Sequence, residues 1–216
     1  LGWACWKTYV GRPETDWARM GAMNVLANGL SAAERDEEAL AVKQAEYAVM
    51  GRIGASNEEM LITQNNLAAT YANLGRFEDA LRMFRDVHSG RLKLLGAENI
   101  STLSAASNYA MTLKRLQHFE EAKSVIRKAI PVARRVLGDS HDFTLQMKAV
   151  YAEVLYDDPD ATLADLRKAV TTLEETVPTA RRVLGSTHPL AKTIEWDLNK
   201  ARAALRAREP PGERLK

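Results

Sequence analysis

Apolar residues recur along much of the chain at the three- and four-residue spacing of one helical face. Between residues 60 and 74 this face carries Leu67 and Tyr71, and the spacing predicts an amphipathic helix that ends at Gly75. A second run of the same kind, over 77–95, predicts another helix directly after it. This second helix begins with acidic residues, which suit the positive end of a helix dipole. The pattern therefore predicts two consecutive helices joined by a short turn.

The same pair of helices recurs along the chain. An aliphatic residue precedes a glycine at Gly54, Gly96, Gly138 and Gly185, with spacings of 42, 42 and 47 residues. A period of this length is the signature of stacked helical repeats. A single helix pair cannot bury the apolar surface on both of its sides, so neighbouring pairs must complete each other's core. We expect an all-α protein, a right-handed α-solenoid of antiparallel helix pairs.

The period divides the chain into a first segment, a repeat domain and a tail. The repeat domain, residues 13–207, is expected to hold three helix pairs and one unpaired closing helix. We place the three repeats and the closing helix at 13–54, 55–96, 97–185 and 189–207. The first segment, residues 1–12, is expected to be the end of a preceding helix. The final residues, 208–216, are expected to form a disordered basic tail.

Particular residue types recur at fixed places within the helix pairs. In the second repeat they are Leu67, Ala68, Tyr71, Gly75, Phe77, Ala80 and Phe84. This pattern resembles the signature of tetratricopeptide repeats. The 42-residue period, the Asn-Asn-Leu-Ala sequence at 65–68 and the Leu-Gly-x-x-His-Pro turn at 184–189 are similar to the kinesin light chain type of that repeat.

The resemblance implies a superhelix whose concave side is lined by the first helix of each pair and binds a segment of a partner protein. The groove-facing positions then fall on Asn24, Asn28, Asn65, Asn66, Asn73, Ser107, Asn108, Lys114, Arg115, Gln146 and Glu153. An Asn side chain offers one acceptor and two donors, so it can hold a peptide amide from both sides. Lys114 and Arg115 would select acidic ligand groups through charge-assisted hydrogen bonds. We therefore expect a protein-interaction adaptor with a protein or peptide partner.

The same side chains also have structural interpretations. Asn66 and Asn108 suit either groove contact or hydrogen bonds that fix neighbouring helices, and Lys114 and Arg115 also suit the negative end of a helix dipole. Four tryptophans near the ends of the chain suit either covers for the ends of the stack or an interface with another subunit. They are Trp3, Trp6, Trp17 and Trp196. The alternative function is therefore a structural scaffold subunit that uses its edges and convex face.

Composition and charge narrow the class of protein further. The 216 residues carry a net charge of +2, without the basic excess typical of nucleic-acid binding, so we expect no nucleic-acid partner. A reader of single-stranded RNA would need a more basic groove and a shorter repeat period. No run approaches the roughly 20 apolar residues of a membrane span. The one cysteine cannot form an internal disulfide, which favours a reducing, cytoplasmic location.

The chain carries no motif for catalysis or metal binding. Its four histidines are dispersed over different repeats without a His-Glu-x-x-His pair, and no glycine-rich phosphate loop is present. The acidic stretch 157–160 does not fit a calcium loop, because Leu163 and Ala169 stand where glycine and glutamate are needed. We therefore expect no enzyme activity, no catalytic residues, no cofactor and no metal.

Overall fold

The computed structural model describes residues 2–209, which fall into two units, Leu1–Gly96 and Ala97–Lys216. The described residues form ten α-helices and no β-strand. The all-α class predicted from the hydrophobic period is thus confirmed. Most of the predicted basic tail, residues 210–216, lies outside the described residues.

Unit 1 contains the first five helices. They are α1 (Gly2–Tyr9), α2 (Trp17–Ala32), α3 (Asp36–Arg52), α4 (Asn57–Asn73) and α5 (Phe77–Leu95). Each helix packs on the next one along the chain. Met20, Met23, Val49 and Met50 are buried together between α2 and α3. Within the first segment, α1 packs on α2.

Gly90 sets the distance between α4 and α5. A Cβ atom at this position would lie 2.7 Å from Cδ2 of Leu61 on α4, closer than two carbon atoms can pack without a shift. Glycine in the middle of a helix costs about 1 kcal/mol relative to alanine. Here the missing side chain lets the Leu61 side chain lie directly against the backbone of α5.

Unit 2 contains the remaining five helices. They are α6 (Ile100–Arg115), α7 (Phe119–Leu137), α8 (Asp142–Asp157), α9 (Leu163–Leu184) and α10 (Pro189–Arg208). α6 contacts α8, and α8 contacts α10, so these three helices form one row, which we call the inner row. α7 and α9 form the outer row, and each of them packs on α8. Leu145, Leu155, Leu166, Leu173 and Ile194 are fully buried within this arrangement.

The segment 97–185 differs from the single helix pair that the sequence analysis assigns to it. It contains two pairs, α6 with α7 and α8 with α9. The 47-residue spacing between Gly138 and Gly185 is five residues longer than the other two spacings, and these five residues are divided between two places. The turn before α9 has five residues where the turn before α7 has three, and α9 has 22 residues where α7 has 19. Shared in this way, the insertion obscures the repeat boundary in the sequence.

The connections between successive helix pairs of unit 2 have the same construction. Gly138 and Gly185 end α7 and α9 with φ values of 89° and 90° and nearly extended ψ values of 161° and 151°. This backbone conformation is essentially restricted to glycine. Three residues later, His141 and His188 cap α8 and α10, because each Nδ1 accepts a backbone hydrogen bond at 3.2 Å. The chain therefore passes from one pair to the next through the same joint.

Candidate functional site

The inner row of unit 2 carries a line of polar side chains. Asn108 and Arg115 on α6 are seven residues apart, as are Gln146 and Glu153 on α8, so each pair lies on one side of its helix. Arg115 and Gln146 are exposed, and Asn108 and Glu153 are half-buried. Within residues 2–209, Arg115 and Gln146 make no hydrogen bond or ion pair. This face therefore offers a cation and an amide to a ligand.

Lys114 lies beneath this line and joins α6 to α8. Its Nζ donates to Glu153, and to Oδ2 of Asp157 at 3.0 Å. The Lys114 side chain is 7% exposed, whereas those of Glu153 and Asp157 are 26% and 41% exposed. Two of the predicted ligand-binding residues, Lys114 and Glu153, thus come together, but they neutralise each other. Lys114 joins the helices of the inner row, and Arg115 stays exposed beside it.

A buried hydrogen bond joins α8 to α10 at the other end of the inner row. The Tyr156 hydroxyl donates to Oδ1 of Asp197 at 2.8 Å, and Asp197 is 3% exposed. Burial raises the pKa of Asp197 to about 6. This value is the net result: the nearby carboxylates of Glu153 and Asp157 contribute to the rise, and the Tyr156 hydrogen bond and the Lys114 charge oppose it. Burial and the hydrogen bond to Asp197 also raise the pKa of Tyr156.

In unit 1, the first two predicted site residues serve the packing of the helix pair. Oδ1 of Asn24 and Oδ1 of Asn28 accept hydrogen bonds from Lys43 Nζ at 3.2 and 3.1 Å. Lys43 is 4% exposed, and burial lowers its pKa. A buried ammonium needs such acceptors. Asn24 and Asn28 therefore hold α3 against α2.

The other three predicted residues of unit 1 lie on α4. Asn73 is exposed, and Asn65 and Asn66 are half-buried. Asn65 already has a partner within the chain, whereas within the described residues the Asn66 and Asn73 side chains have none. Asn66 and Asn73 are seven residues apart and occupy the same side of α4. They repeat in unit 1 the spacing of Asn108 and Arg115 in unit 2.

Ser107 differs from its expected position on the groove. It is 3% exposed and lies among the buried residues of α6, since it is offset by one residue from the line of Asn108 and Arg115. A side chain at this depth packs between helices and does not reach a ligand on the inner face.

Sequence reasoning missed the residues that join the inner helices. Asp157 lies 42 residues after Arg115 and 84 after Asn73, so the repeat period itself places it on the inner face. In the sequence analysis, Asp157 is considered only as part of the acidic stretch 157–160. Tyr156 and Asp197 carry no signal of this kind, since pairing between them requires the closing helix to be placed against α8.

Within residues 2–209, no three His, Cys, Asp or Glu side chains are grouped so that they could hold a metal ion. Over the same residues, no helix combines the length and apolar character needed to cross a bilayer. The cytoplasmic location and the lack of a nucleic-acid partner stay predictions.

Comparison with known proteins assigns the repeat type. Residues 59–135, from α4 to α7, match the tetratricopeptide repeat family. The fold is therefore that of an all-α tetratricopeptide-repeat solenoid. The chain matches no curated protein in sequence.

Solved structures extend this likeness beyond the matched segment. Two crystal structures of the nearly identical TPR-like repeats of a candidate kinesin light chain from Podosopora anserina are each 21% identical to the chain. One has a TM-score of 0.76 over 88% of both chains, and the other 0.74 over 92% of this chain and 90% of that one. BtubC (BKLC) from P. vanneervenii is 17% identical, with a TM-score of 0.69 over 88% of this chain and 78% of its own. The resemblance to the kinesin light chain type of repeat is confirmed at the level of the fold.

Proposed function

We propose that the chain is a protein-interaction adaptor and that the inner row of unit 2 binds a segment of a partner protein. The proposal rests on the exposure of two polar residues, Arg115 and Gln146. Both are exposed on the inner row, and within residues 2–209 both lack an internal partner. Polar side chains on a rigid helical scaffold are already in place for a ligand, which lowers the entropic cost of binding.

The chemistry of this face indicates how the segment is held. The Gln146 amide donates to and accepts from the ligand backbone, and Arg115 pairs with an acidic ligand side chain. The Lys114 bridge to Glu153 and Asp157 fixes α6 against α8, so that these groups keep their spacing. Contacts of this kind are typical of micromolar affinity, about −8 kcal/mol. In unit 1, Asn66 and Asn73 offer a second polar patch of the same type.

A displayed peptide library tests this proposal. Ligands selected on the whole chain are measured again with Arg115→Ala combined with Gln146→Ala. The matched control is Lys128→Ala, an exposed position on the outer row. We expect the double variant to bind at least about tenfold more weakly, a change of about 1.4 kcal/mol, and the control to bind like the wild type. If the selected peptides bind the double variant unchanged, the inner face is not the binding site.

A scaffold subunit is the second candidate function, and exposed aromatic residues favour it. Trp3, Trp17 and Trp196 are 50%, 61% and 54% exposed, and tryptophan is enriched at protein interfaces. Light scattering on the purified chain, with Trp196→Ser beside the wild type, measures whether these side chains hold copies together. An oligomer that the substitution dissociates supports the scaffold, and a monomer at all concentrations leaves the adaptor as the better proposal.

A further inference from the structure

A groove opens on the outer side of unit 2, between α7 and α9, with α8 as its floor. Both outer helices pack on α8 but make little contact with each other. The groove has a volume of about 680 Å³, within the range of about 300–1,000 Å³ for ligand pockets. Lys148 and Tyr151 line its floor. By the period of the helix they lie on the opposite side of α8 from Gln146. This outer groove is therefore separate from the inner face.

The outer groove carries an excess of positive charge. Its lining contains five cationic side chains and two carboxylates, namely Arg127, Arg134, Lys148, Lys168, Arg182, Asp139 and Glu175. Asp139 is already used, because it accepts from Arg134 Nε at 2.7 Å and from Lys148 Nζ at 2.9 Å.

Two of these cations are left without a partner. Arg127 lies on the α7 wall and Lys168 on the α9 wall. Within the part of the chain that the structure describes, neither makes an ion pair or a hydrogen bond. Two unpaired cations on facing walls of a groove favour a ligand that carries more than one negative charge.

The α7 wall also presents features that suit a polypeptide. Pro131 lies inside the continuous helix α7 and lines the groove, and because proline has no N–H, it cannot donate the usual helical hydrogen bond to the Arg127 carbonyl. That carbonyl can accept a hydrogen bond from the backbone of a bound peptide. Ile130 and Tyr151 add apolar surface beside it.

We propose that the outer groove is a second docking site, which binds an acidic peptide segment of a partner protein. Carboxylates of the segment pair with Arg127 and Lys168, and an aliphatic or aromatic side chain between them packs on Ile130 and Tyr151. A nucleic acid suits the groove less well, since Asp139 and Glu175 would face its continuous phosphate charge. The near-neutral chain, with a net charge of +2, also lacks the broad basic surface of a nucleic-acid binder.

Fluorescence anisotropy of a defined probe tests the outer groove. The probe is a fluorescein-labelled peptide that alternates Glu with Leu and Tyr, and its counterpart has Gln in place of every Glu. The test variant combines Arg127→Gln with Lys168→Gln. The control combines Lys128→Gln with Lys192→Gln, which removes the same charge from two exposed residues of unit 2 outside the groove. All four side chains are exposed, so both variants are expected to retain the helix content of the wild type.

The assay is run in about 50 mM salt, where screening is weak. We expect the test variant to bind the probe about tenfold more weakly than the wild type, and the control to bind it less than about twofold more weakly. The Gln counterpart is expected not to bind. Equal losses in the two variants, equal binding of the Gln counterpart or no binding by the wild type would overturn the proposal. Displacement of the probe by an oligothymidylate at lower concentrations than by unlabelled peptide would overturn it in favour of a nucleic acid. The comparison is repeated in an Arg115→Ala, Gln146→Ala background, where the probe cannot use the inner face, and the same difference of about tenfold between the test variant and the control is expected there.

Discussion

The buried carboxylate of Asp197 makes the stability of unit 2 depend on pH. An ordinary aspartate has a pKa of about 3.9, and burial on α10 raises the pKa of Asp197 to about 6. At about 1.4 kcal/mol per pH unit, this difference corresponds to about 3 kcal/mol. The charged form of Asp197 is the unfavourable one, because the Tyr156 hydrogen bond and the Lys114 charge do not offset its loss of water.

The direction of the effect follows from the protons that each state binds. Below about pH 4 the carboxyl is protonated in both the folded and the unfolded chain, and it adds no pH dependence. Between about pH 4 and pH 6 the folded chain keeps a proton that the unfolded chain has released. The free energy of unfolding therefore falls as the pH rises through this window. Above pH 6 the destabilisation is complete and constant.

Asp197→Asn removes this titration while keeping an oxygen that can accept from Tyr156. Urea unfolding of the variant and the wild type, followed by circular dichroism between about pH 4 and pH 7.5, measures the difference. We expect the variant to gain up to about 3 kcal/mol over the wild type at pH 7, and this gain to shrink towards pH 4. Asp86→Asn, at an exposed site on α5, is the control and should stay within about 0.5 kcal/mol of the wild type. A gain that does not change with pH would refute the reasoning.

Two further predictions concern packing and use the same unfolding assay. Glu153→Gln with Asp157→Asn leaves the buried Lys114 ammonium without a carboxylate and should cost about 3–5 kcal/mol. Lys114→Met should cost only about 1 kcal/mol, since both carboxylates reach water, and equal losses would contradict this assignment of the bridge. Gly90→Val should cost about 1–3 kcal/mol by overpacking against Leu61, and Leu61→Ala in the same chain should recover part of it. A Gly90→Val variant as stable as the wild type would show that α4 and α5 are not in tight contact there.

Much of the fold follows from the period of the sequence, because helices and their glycine ends depend on neighbouring residues. The predicted helix over 77–95 and the closing helix over 189–207 come within one residue of α5 and α10. The period did not predict that 97–185 contains two helix pairs. The five extra residues of this segment are divided between the turn before α9 and the start of α9, which hides the boundary between the pairs. The spacing of apolar residues within each helix does not indicate where these extra residues are placed.

The candidate site was only partly predictable, for a different reason. The repeat period places Asn108, Arg115 and Gln146 on one face of their helices, and in the structure Arg115 and Gln146 are exposed and Asn108 is half-buried. Whether a polar side chain on the face is available depends on the neighbouring helix. Lys114 is neutralised by α8 and Asn24 is used by Lys43, and neither contact can be read from the residue's own helix.

The shared joint at Gly138 and Gly185 makes the repeats interchangeable building blocks. Each joint pairs a glycine of the same backbone conformation with a histidine cap three residues later. A duplicate of residues 139–185 inserted after Gly185 would begin and end in the register that the chain already uses. The array could thus be lengthened by whole modules, each of which adds one more helix to the inner row without a redesigned linker.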